Sequence, residues 1–582
     1  MSEGYYANAN PDLLMRLPLS ARRVLEIGCG EGALAARYRL RNPVAHLTGI
    51  EPHPPSAARA RVHFDRLIEG DAEQIRDADL GGPFDLIVMG DALEHLADPV
   101  AMLRRLHGLL LPYGVLALSV PNIAHWSAIA QLIKGDWPDA DQGLFDRTHR
   151  SFWTQPKLLR VLEETGFIWR KMAPRNIALD TAERDRWLPA LSNLARDLGL
   201  RPDEVTRRAE ALQYIVIAQR AGAEAERPMM VDIVARDTRL LAARGSRPLQ
   251  ALQAQPNVRV HSRSRDTAAQ GGGSLPRAVV FQRYDQREPE KMLDLLARAM
   301  RAGWVCVLDH DDSPDLMAAN LTTFDRRVFD RLLPAFHALQ LSTPVLMEEL
   351  AALHPERRLR LNALLDLAPI RKPDPRAPVR VFFGALNRAN VSVALARSLA
   401  PVIAAHPTVE FVVVHDRAFH DALPTDRKTW HPLVRYDRYL SILGGCDIAL
   451  MPLAGGPGEA AKSDLKFLEA AAQGVAAIVS PLVYGATVRD GETAIIARGM
   501  DDWAPALERL LRRPRRRRQL AERARAYVAG LDGGAGRMLC HDIAADEAWL
   551  RDLHTRQAEL TAQALERSDG LRAAMARLAA QD

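Results

Sequence analysis

The stretch Val24-Leu-Glu-Ile-Gly-Cys-Gly-Glu-Gly32 constrains this chain more than any other. Val24 to Ile27 is a short apolar run of the kind that forms a buried strand, and Ala33-Leu-Ala-Ala-Arg37 begins a helical pattern. Gly28, Gly30 and Gly32 lie between them, so the chain turns sharply from strand into helix. A turn stripped of side chains lets backbone N–H groups approach a ligand, and the N-terminus of the following helix favours negative charge. Glu26 sets a carboxylate at the strand end, where it suits an ammonium group. A strand–turn–helix unit of this kind belongs to a parallel α/β sheet.

Gly28, Gly30 and Ala33 also satisfy the dinucleotide-binding pattern G-x-G-x-x-G/A, so the residues that follow carry the distinction. Leu47-Thr-Gly-Ile-Glu51 reads as a second strand ending in an acid placed for ribose hydroxyls. Leu67-Ile-Glu-Gly-Asp71-Ala72 ends a third strand, where Asp71 can accept from an adenine amino group. Phe84-Asp-Leu-Ile-Val-Met-Gly-Asp91 and Ala92-Leu-Glu94-His95 come next. The ordered series resembles the class I S-adenosylmethionine-dependent methyltransferases across residues 15–220. That resemblance implies S-adenosyl-L-methionine as cofactor, held by Glu26, Gly28, Gly30, Gly32, Glu51, Asp71, Ala72 and Asp91. An NAD-dependent sugar oxidoreductase is the alternative reading of the same turn. Gly143-Leu-Phe-Asp146-Arg-Thr-His149 follows the fifth strand, where related enzymes close the acceptor site. Methylation of a hydroxyl benefits from a base titrating near neutrality, and His149, His95 and His125 are the candidates.

At 582 residues the chain exceeds what one core supports. A net charge of +5 over that length gives no support to a nucleic-acid partner. Cys29, Cys306, Cys446 and Cys540 are scattered without C-x-x-C spacing, which argues for free thiols in a reducing compartment and against a zinc framework. No apolar run approaches the ~18 residues of a membrane span, and the first residues lack a basic-then-apolar leader pattern. A cytoplasmic location is expected, with at most peripheral contact at the inner face of a membrane.

Strand and helix patterns alternate almost throughout, which predicts α/β domains. The expected division is a Rossmann-like domain over 1–222, a second over 229–372, a third over 378–540 and a helical tail over 541–582. Phe167–Met172 and Tyr214–Ala218 are expected as an antiparallel edge pair, and Val115–Val120 as the fifth strand after the break Pro112-Tyr-Gly114. Ala221–Pro228 and the Pro-rich Lys372–Pro378 read as linkers.

A second chemical signal is Lys462-Ser-Asp-Leu-Lys466-Phe-Leu-Glu469-Ala-Ala-Ala-Gln-Gly474. Ser463 is suited to cap a helix and Gly474 to stop it, and Lys466 and Glu469 then share a face. Free N–H groups with Lys466 suit a diphosphate, Glu469 suits ribose hydroxyls, and the loop Gly455-Gly-Pro-Gly458 allows close backbone approach. With Asp447-Ile-Ala-Leu-Met-Pro452 before it and Val475-Ala-Ala-Ile-Val-Ser480 after it, this region resembles the donor lobe of GT-B glycosyltransferases that carry a pair of glutamates with seven residues between them. The resemblance implies a nucleotide-diphosphate sugar donor held by Arg388, Lys462, Ser463, Lys466 and Glu469, with Lys466 also supporting the leaving diphosphate. The first glutamate of the pair, which in that family faces the sugar, falls on Ala461, with Glu459 nearby but out of register, so the chain departs from the pattern there.

Trp304-Val-Cys-Val-Leu-Asp309-His-Asp311-Asp312 ends a strand in Asp-x-Asp, the arrangement with which GT-A glycosyltransferases hold a divalent metal. No complete GT-A domain surrounds it, so no metal site is assigned, and Asp309 and His310 stay open as acceptor-side residues. The basic run Arg512–Arg518 reads as a solvated helix start, with an anionic membrane surface as the alternative. Apolar positions Trp549, Leu553, Leu560 and Leu565 at helical spacing imply packing on a neighbouring domain or an oligomer contact. The expectation for the whole is an enzyme of glycan assembly with two activities. It would move methyl to a sugar hydroxyl and sugar to a saccharide or lipid-linked saccharide acceptor. The alternative is a methyltransferase with a degenerate glycan-binding scaffold region.

Overall fold

The structure, a computed structural model, describes residues 9–177, 180–221, 227–235, 242–284, 288–371, 374, 376–385 and 389–580. Arg388 lies outside the described residues, as do 222–226 of the first expected linker and 372, 373 and 375 of the second. The chain divides into two compact units, Met1–Arg227 with Gln253–Asn257, and Pro228–Leu252 with Val258–Asp582.

In the first unit, β1 (Arg23–Ile27), β2 (His46–Glu51), β3 (Arg66–Glu69), β4 (Phe84–Gly90), β5 (Leu110–Pro121), β6 (Phe167–Arg175) and β7 (Gln213–Arg220) form one sheet in the order β3-β2-β1-β4-β5-β7-β6. Strands β1 to β5 are parallel, and β7 runs antiparallel between β5 and β6, as expected for the edge pair. Leu25, Ile87 and Leu116 are fully buried, consistent with helices covering both faces of a parallel sheet. From β1 the chain builds outward to β2 and β3 on one side, then returns to β4 and β5 on the other. The carboxyl ends of β1 and β4 therefore flank the switch point, where open α/β sheets bind ligands. The loops leaving those two strands carry Gly28–Gly32 and Asp91–His95.

One boundary differs from the sequence reading. The fifth strand begins at Leu110 and continues through Pro112-Tyr-Gly114 instead of starting after it. Leu110 pairs with Phe84 and Val115 with Leu86, so the register shifts and the exposed Pro112 and Tyr113 bulge outward without ending the strand. The helices Thr181–Asp197 and Pro202–Glu210, inserted between β6 and β7, bury Leu188, Leu191 and Ala209 against Trp126.

The second unit holds two parallel sheets. The first consists of β8 (Met229–Ala235), β9 (Val258–Arg263), β10 (Arg277–Gln282), β11 (Val305–His310), β12 (Ala338–Leu341) and β13 (Arg357–Leu359), ordered β13-β12-β11-β10-β8-β9. The second consists of β14 (Arg380–Gly384), β15 (Glu410–Val414), β16 (Lys428–His431), β17 (Ile448–Met451), β18 (Ala476–Val479) and β19 (Ile495–Ile496), ordered β16-β15-β14-β17-β18-β19. The carboxy-terminal helices Leu539–Thr555, Gln557–Arg567 and Asp569–Ala579 belong to the core of this unit. Ala564, Leu571 and Ala574 pack in one cluster with Leu293, Leu296 and Met300. Gly570 lies so close to Leu293 that a Cβ there would sit 2.7 Å from its Cδ1. Of the expected apolar stripe, Leu553 and Leu560 are fully buried within this unit, while Trp549 and Leu565 are half-buried. Among the described residues no helix is long and apolar enough to cross a membrane.

Because Leu571 fills this core from the last helix, Leu571→Ala is expected to cost about 2–5 kcal/mol. A lowered midpoint for the unfolding of the carboxy-terminal unit in differential scanning calorimetry checks it.

Candidate functional site

The glycine turn after β1 is fastened to β2, since the N–H groups of Gly28 and Cys29 both donate to the Ile50 carbonyl at 2.9 and 3.1 Å. Gly28, Gly30 and Gly32 have φ of 70°, 56° and 79°. A Cβ on Gly28 would stand 3.0 Å from Ala92 Cβ, so conformation and space both demand glycine there. Gly30 N donates to Glu51 Oε2 at 2.8 Å and His53 N to Glu51 Oε1 at 3.0 Å, which fixes the carboxylate at the end of β2. Glu26 and Glu51 are both buried. Burial, and then the charge of Glu51, push the Glu26 carboxyl up to about 8. Burial also raises Glu51, opposed by the N–H groups of His53 and Gly30. Two neighbouring buried acids make a site that a proton or a bound ammonium group relieves.

Asp71 is exposed, and its carboxylate caps its own turn by accepting from Glu73 N at 2.9 Å and Gln74 Nε2 at 3.2 Å. Ala72 is buried, and its carbonyl accepts from Arg105 Nη1 at 2.6 Å. Asp91 adopts φ 53° and accepts at Oδ1 from Ser119 Oγ at 2.6 Å and Gln213 Nε2 at 3.0 Å, so β5 and β7 brace it. Burial raises its carboxyl.

Beyond Asp91 the structure brings together residues that are 55 positions apart. Glu94 is 1% exposed, its Oε1 lies 4.0 Å from His149 Nε2, and the His95 and His149 rings stand 4.9 Å apart edge to face. Arg150 N and Ser151 N donate to the Glu94 carbonyl, which ties the His149 segment to the turn after β4. Glu94 Oε2 and His149 Nδ1 are buried without a hydrogen-bond partner. An unmet buried polar atom costs about 1–3 kcal/mol, more for a charged one. Burial and the charge of Asp91 push the Glu94 carboxyl well above the usual range, and burial lowers His149. Glu94 stood inside the sequence motif without a role assigned to it. Its signal, an acid next to His95 at a strand's carboxyl end, acquires meaning only when His149 arrives beside it.

His125 does not meet the expectation of a base near neutrality. It is 1% exposed, its Nδ1 accepts from Ser127 N at 3.3 Å to cap the helix Trp126–Ile133, and burial pushes it down to about 4.

In the second unit the helix expected from Ser463 runs Leu465–Ala472, with Asp464 at its cap position. Ser463 Oγ instead accepts from Asn362 Nδ2 at 2.7 Å. The Asp464 carboxylate makes no bond to the helix N–H groups, because Arg537 holds both its oxygens at 2.6 and 2.9 Å and Thr487 Oγ1 donates at 2.8 Å. Gly474 ends the helix at φ 72°, as expected. Lys466 Nζ donates to the Gly384 carbonyl at the end of β14, and Lys462 Nζ lies 3.5 Å from Asp312 Oδ1. Glu469 is buried beside Tyr436 and Tyr439. Its burial raises its carboxyl, while both hydroxyls and Lys466 oppose the rise.

Two glycine-loop positions, Gly455 and Gly456, are open and exposed, whereas a Cβ on Gly458 would meet Leu316 Cβ at 2.8 Å, so that glycine serves packing. Ala461 is buried, and Glu459 is committed to the loop, accepting from Ala454 N at 2.7 Å and Gly455 N at 3.0 Å. Asp309 is gripped by Arg244 at 2.7 and 2.6 Å, and Arg283 takes Asp311 at 2.6 Å and Asp312 at 2.7 Å. This acidic stretch therefore meets guanidinium groups, and burial pushes His310 down to about 4.

Comparison with known proteins matches residues 3–169 to a methyltransferase domain and residues 394–530 to a glycosyl transferase-like domain. The chain is 34% identical over 156 residues to an uncharacterized methyltransferase of Mycobacterium bovis, spanning 24% of this chain and 77% of that protein. It is 36% identical over 203 residues to the trans-aconitate 2-methyltransferase of Methylobacterium radiotolerans, spanning 33% of this chain and 74% of that protein. Among solved structures, an S-adenosylmethionine-dependent methyltransferase from Mesorhizobium loti matches at 19% identity and a TM-score of 0.24, covering 36% of this chain and 96% of that one.

The raised Glu26 carboxyl has a sign that can be tested. The folded state holds this proton more tightly than the unfolded state, so the contribution is fully present below about 4.5 and is lost as pH rises through about 8. The thermal midpoint of the first unit is expected to fall across this window, and Glu26→Gln is expected to flatten the fall. Calorimetric scans at pH 5, 6.5 and 8 measure both.

Proposed function

Through its amino-terminal domain this chain belongs to the methyltransferase family, and on that premise we propose that the domain moves a methyl group from S-adenosyl-L-methionine to a hydroxyl of a saccharide. The observation that carries this reading is the pair of buried acids, Glu26 and Glu51, arranged around a turn that only glycine fits at the sheet's switch point. Glu26 suits the ammonium group of the cofactor's methionine part, and Glu51, held by two N–H groups, suits the ribose hydroxyls. Gly28, Gly30 and Gly32 keep side chains away from the adenosine, with Asp71, Ala72 and Asp91 around it. Transfer requires the acceptor oxygen, the methyl carbon and the sulfur in line, and removal of the hydroxyl proton. His149 and His95, beside Glu94, supply groups that receive it.

For the glycosyl transferase-like domain we propose a nucleotide-diphosphate sugar donor, bound by Lys462, Ser463, Lys466, Glu469 and Arg388, and a saccharide or lipid-linked saccharide acceptor. Two such transfers on one chain fit the assembly of a modified glycan, such as a bacterial surface polysaccharide, on the cytoplasmic side of a membrane. The exposed arginines Arg512, Arg513, Arg515 and Arg518 suit peripheral contact with anionic lipid there. A second reading, in which this region binds glycan without transferring sugar, is favoured by one specific observation: Ala461 fills a core position where a sugar-facing glutamate belongs, and Glu459 is tied to its own loop.

S-Adenosylhomocysteine at about 100 times its Kd is expected to stabilise the first unit by about 2.7 kcal/mol, with NADH inert and Gly28→Val unresponsive. A shift with NADH alone overturns the methyl-transfer reading. In a nucleotide-sugar turnover assay, Lys466→Ala and Glu469→Ala are expected to lose at least tenfold. No turnover by the unaltered protein with any donor moves the choice to the second reading.

A further inference from the structure

We propose that Glu94, His95 and His149 form a binding site for one divalent first-row transition cation, at the loop that leaves β4. The three side chains each offer a ligand atom, and these atoms lie within 4.8 Å of one another. A cation about 2.0–2.2 Å from each oxygen and nitrogen requires the three side chains to converge on it from these separations.

Three independent features favour a cation over a self-contained hydrogen-bond cluster. First, the acid is buried and unmet. Glu94 is 1% exposed and its Oε2 lacks a partner, while Asp91 and Asp146 add negative charge around it. Second, His149 is 5% exposed at its side chain, and the bonds of Arg150 N and Ser151 N to the Glu94 carbonyl hold its segment against the acid, with its Nε2 4.0 Å from Glu94 Oε1. Third, the tautomer of His95 is set from behind. Thr148 Oγ1 donates to Asp146 Oδ1 at 2.6 Å, and the Thr148 carbonyl can only accept. His95 Nδ1, 3.0 Å from that hydroxyl and 3.3 Å from that carbonyl, therefore carries the proton, which leaves the Nε2 lone pair for a metal. An outer carboxylate that fixes an imidazole through hydrogen bonds is how metal-binding histidines are oriented.

Two imidazoles and one carboxylate suit Mn²⁺, Fe²⁺, Co²⁺ or Zn²⁺ better than Ca²⁺ or Mg²⁺, which prefer oxygen ligands throughout. Three protein ligands leave a coordination position open. The use of that position rests on the methyl-transfer reading, although the site does not. With an ion bound, the two imidazoles are engaged as ligands and no longer take the proton, so an acceptor hydroxyl bound there is acidified and releases its proton to water instead. Its oxygen then forms a bond to the methyl carbon as the carbon–sulfur bond breaks, and the electron pair of that bond stays on sulfur.

The test uses the full chain stripped of metal by EDTA and dialysed. Mn²⁺ is titrated by electron paramagnetic resonance and Zn²⁺ by calorimetry, and the thermal shift with S-adenosylhomocysteine is followed in parallel. One ion of at least one metal is expected to bind per chain, with affinity reduced at least tenfold in His149→Ala and in Glu94→Gln. Circular dichroism and the retained S-adenosylhomocysteine shift show that these variants fold. No binding of either ion, or binding unchanged in both variants, overturns the site. Metal binding without any S-adenosylhomocysteine shift in the unaltered protein upholds the site and overturns only the methyl-transfer reading.

Discussion

Two N–H groups share one acceptor at the centre of the first unit, where Gly28 and Cys29 both donate to the carbonyl of Ile50. That fork anchors the turn after β1 to the end of β2, and the rest of the site depends on it. It brings Gly30 N within 2.8 Å of Glu51, so the second acid is oriented by the same turn that the first precedes. It also presses Gly28 against Ala92 at the start of the β4 loop, which leaves no room for a side chain. Backbone bonds, close approach and the positions of two carboxylates thus form one constraint, and a substitution at Gly28 disturbs all three.

The second unit depends on a different kind of anchor. Arg537, just before the carboxy-terminal helices, bridges Asp464 at the start of the Lys466 helix and the backbone carbonyl of Asn362, which follows β13. Arg525 similarly joins the carbonyls of Ala472 and Ala368. Both arginines lie in the closing stretch of the chain and join segments near each of the two six-stranded sheets. With Leu571 and Ala574 filling the first of those sheets' cores, the tail is a structural part of that unit.

Much of this was legible in the sequence, because it rests on local signals. Apolar runs of four to six residues marked β1, β2, β4, β14, β15 and β17, and the glycine pattern marked the turn that joins β1 to its helix. What stayed hidden depends on partners distant in sequence. Ser463 is a good capping residue by type, yet Asn362 claims its hydroxyl and the helix begins at Leu465. His125 is as plausible a base as His149 from sequence alone, but it caps a helix that covers it. Pro112-Tyr-Gly114 has the composition of a turn, and the strand bulges there because Leu110 finds Phe84 across the gap. Glu94 gained importance only through its nearness to His149.

The distribution of charge partners separates structural acids from site acids. In the second unit Asp309, Asp311, Asp312 and Asp464 each face an arginine within 2.9 Å, so their charges are matched by the fold itself. In the first unit Glu26, Glu51 and Glu94 are as deeply buried, and what shifts them upward is burial together with, for Glu26 and Glu94, another acid. Burying a carboxylate is costly, and without an arginine to match it each of these three acids is driven toward its protonated form. The acids of the first unit are thus set apart from those of the second by the want of an arginine partner, and all three lie on the loops and strand ends around one switch point.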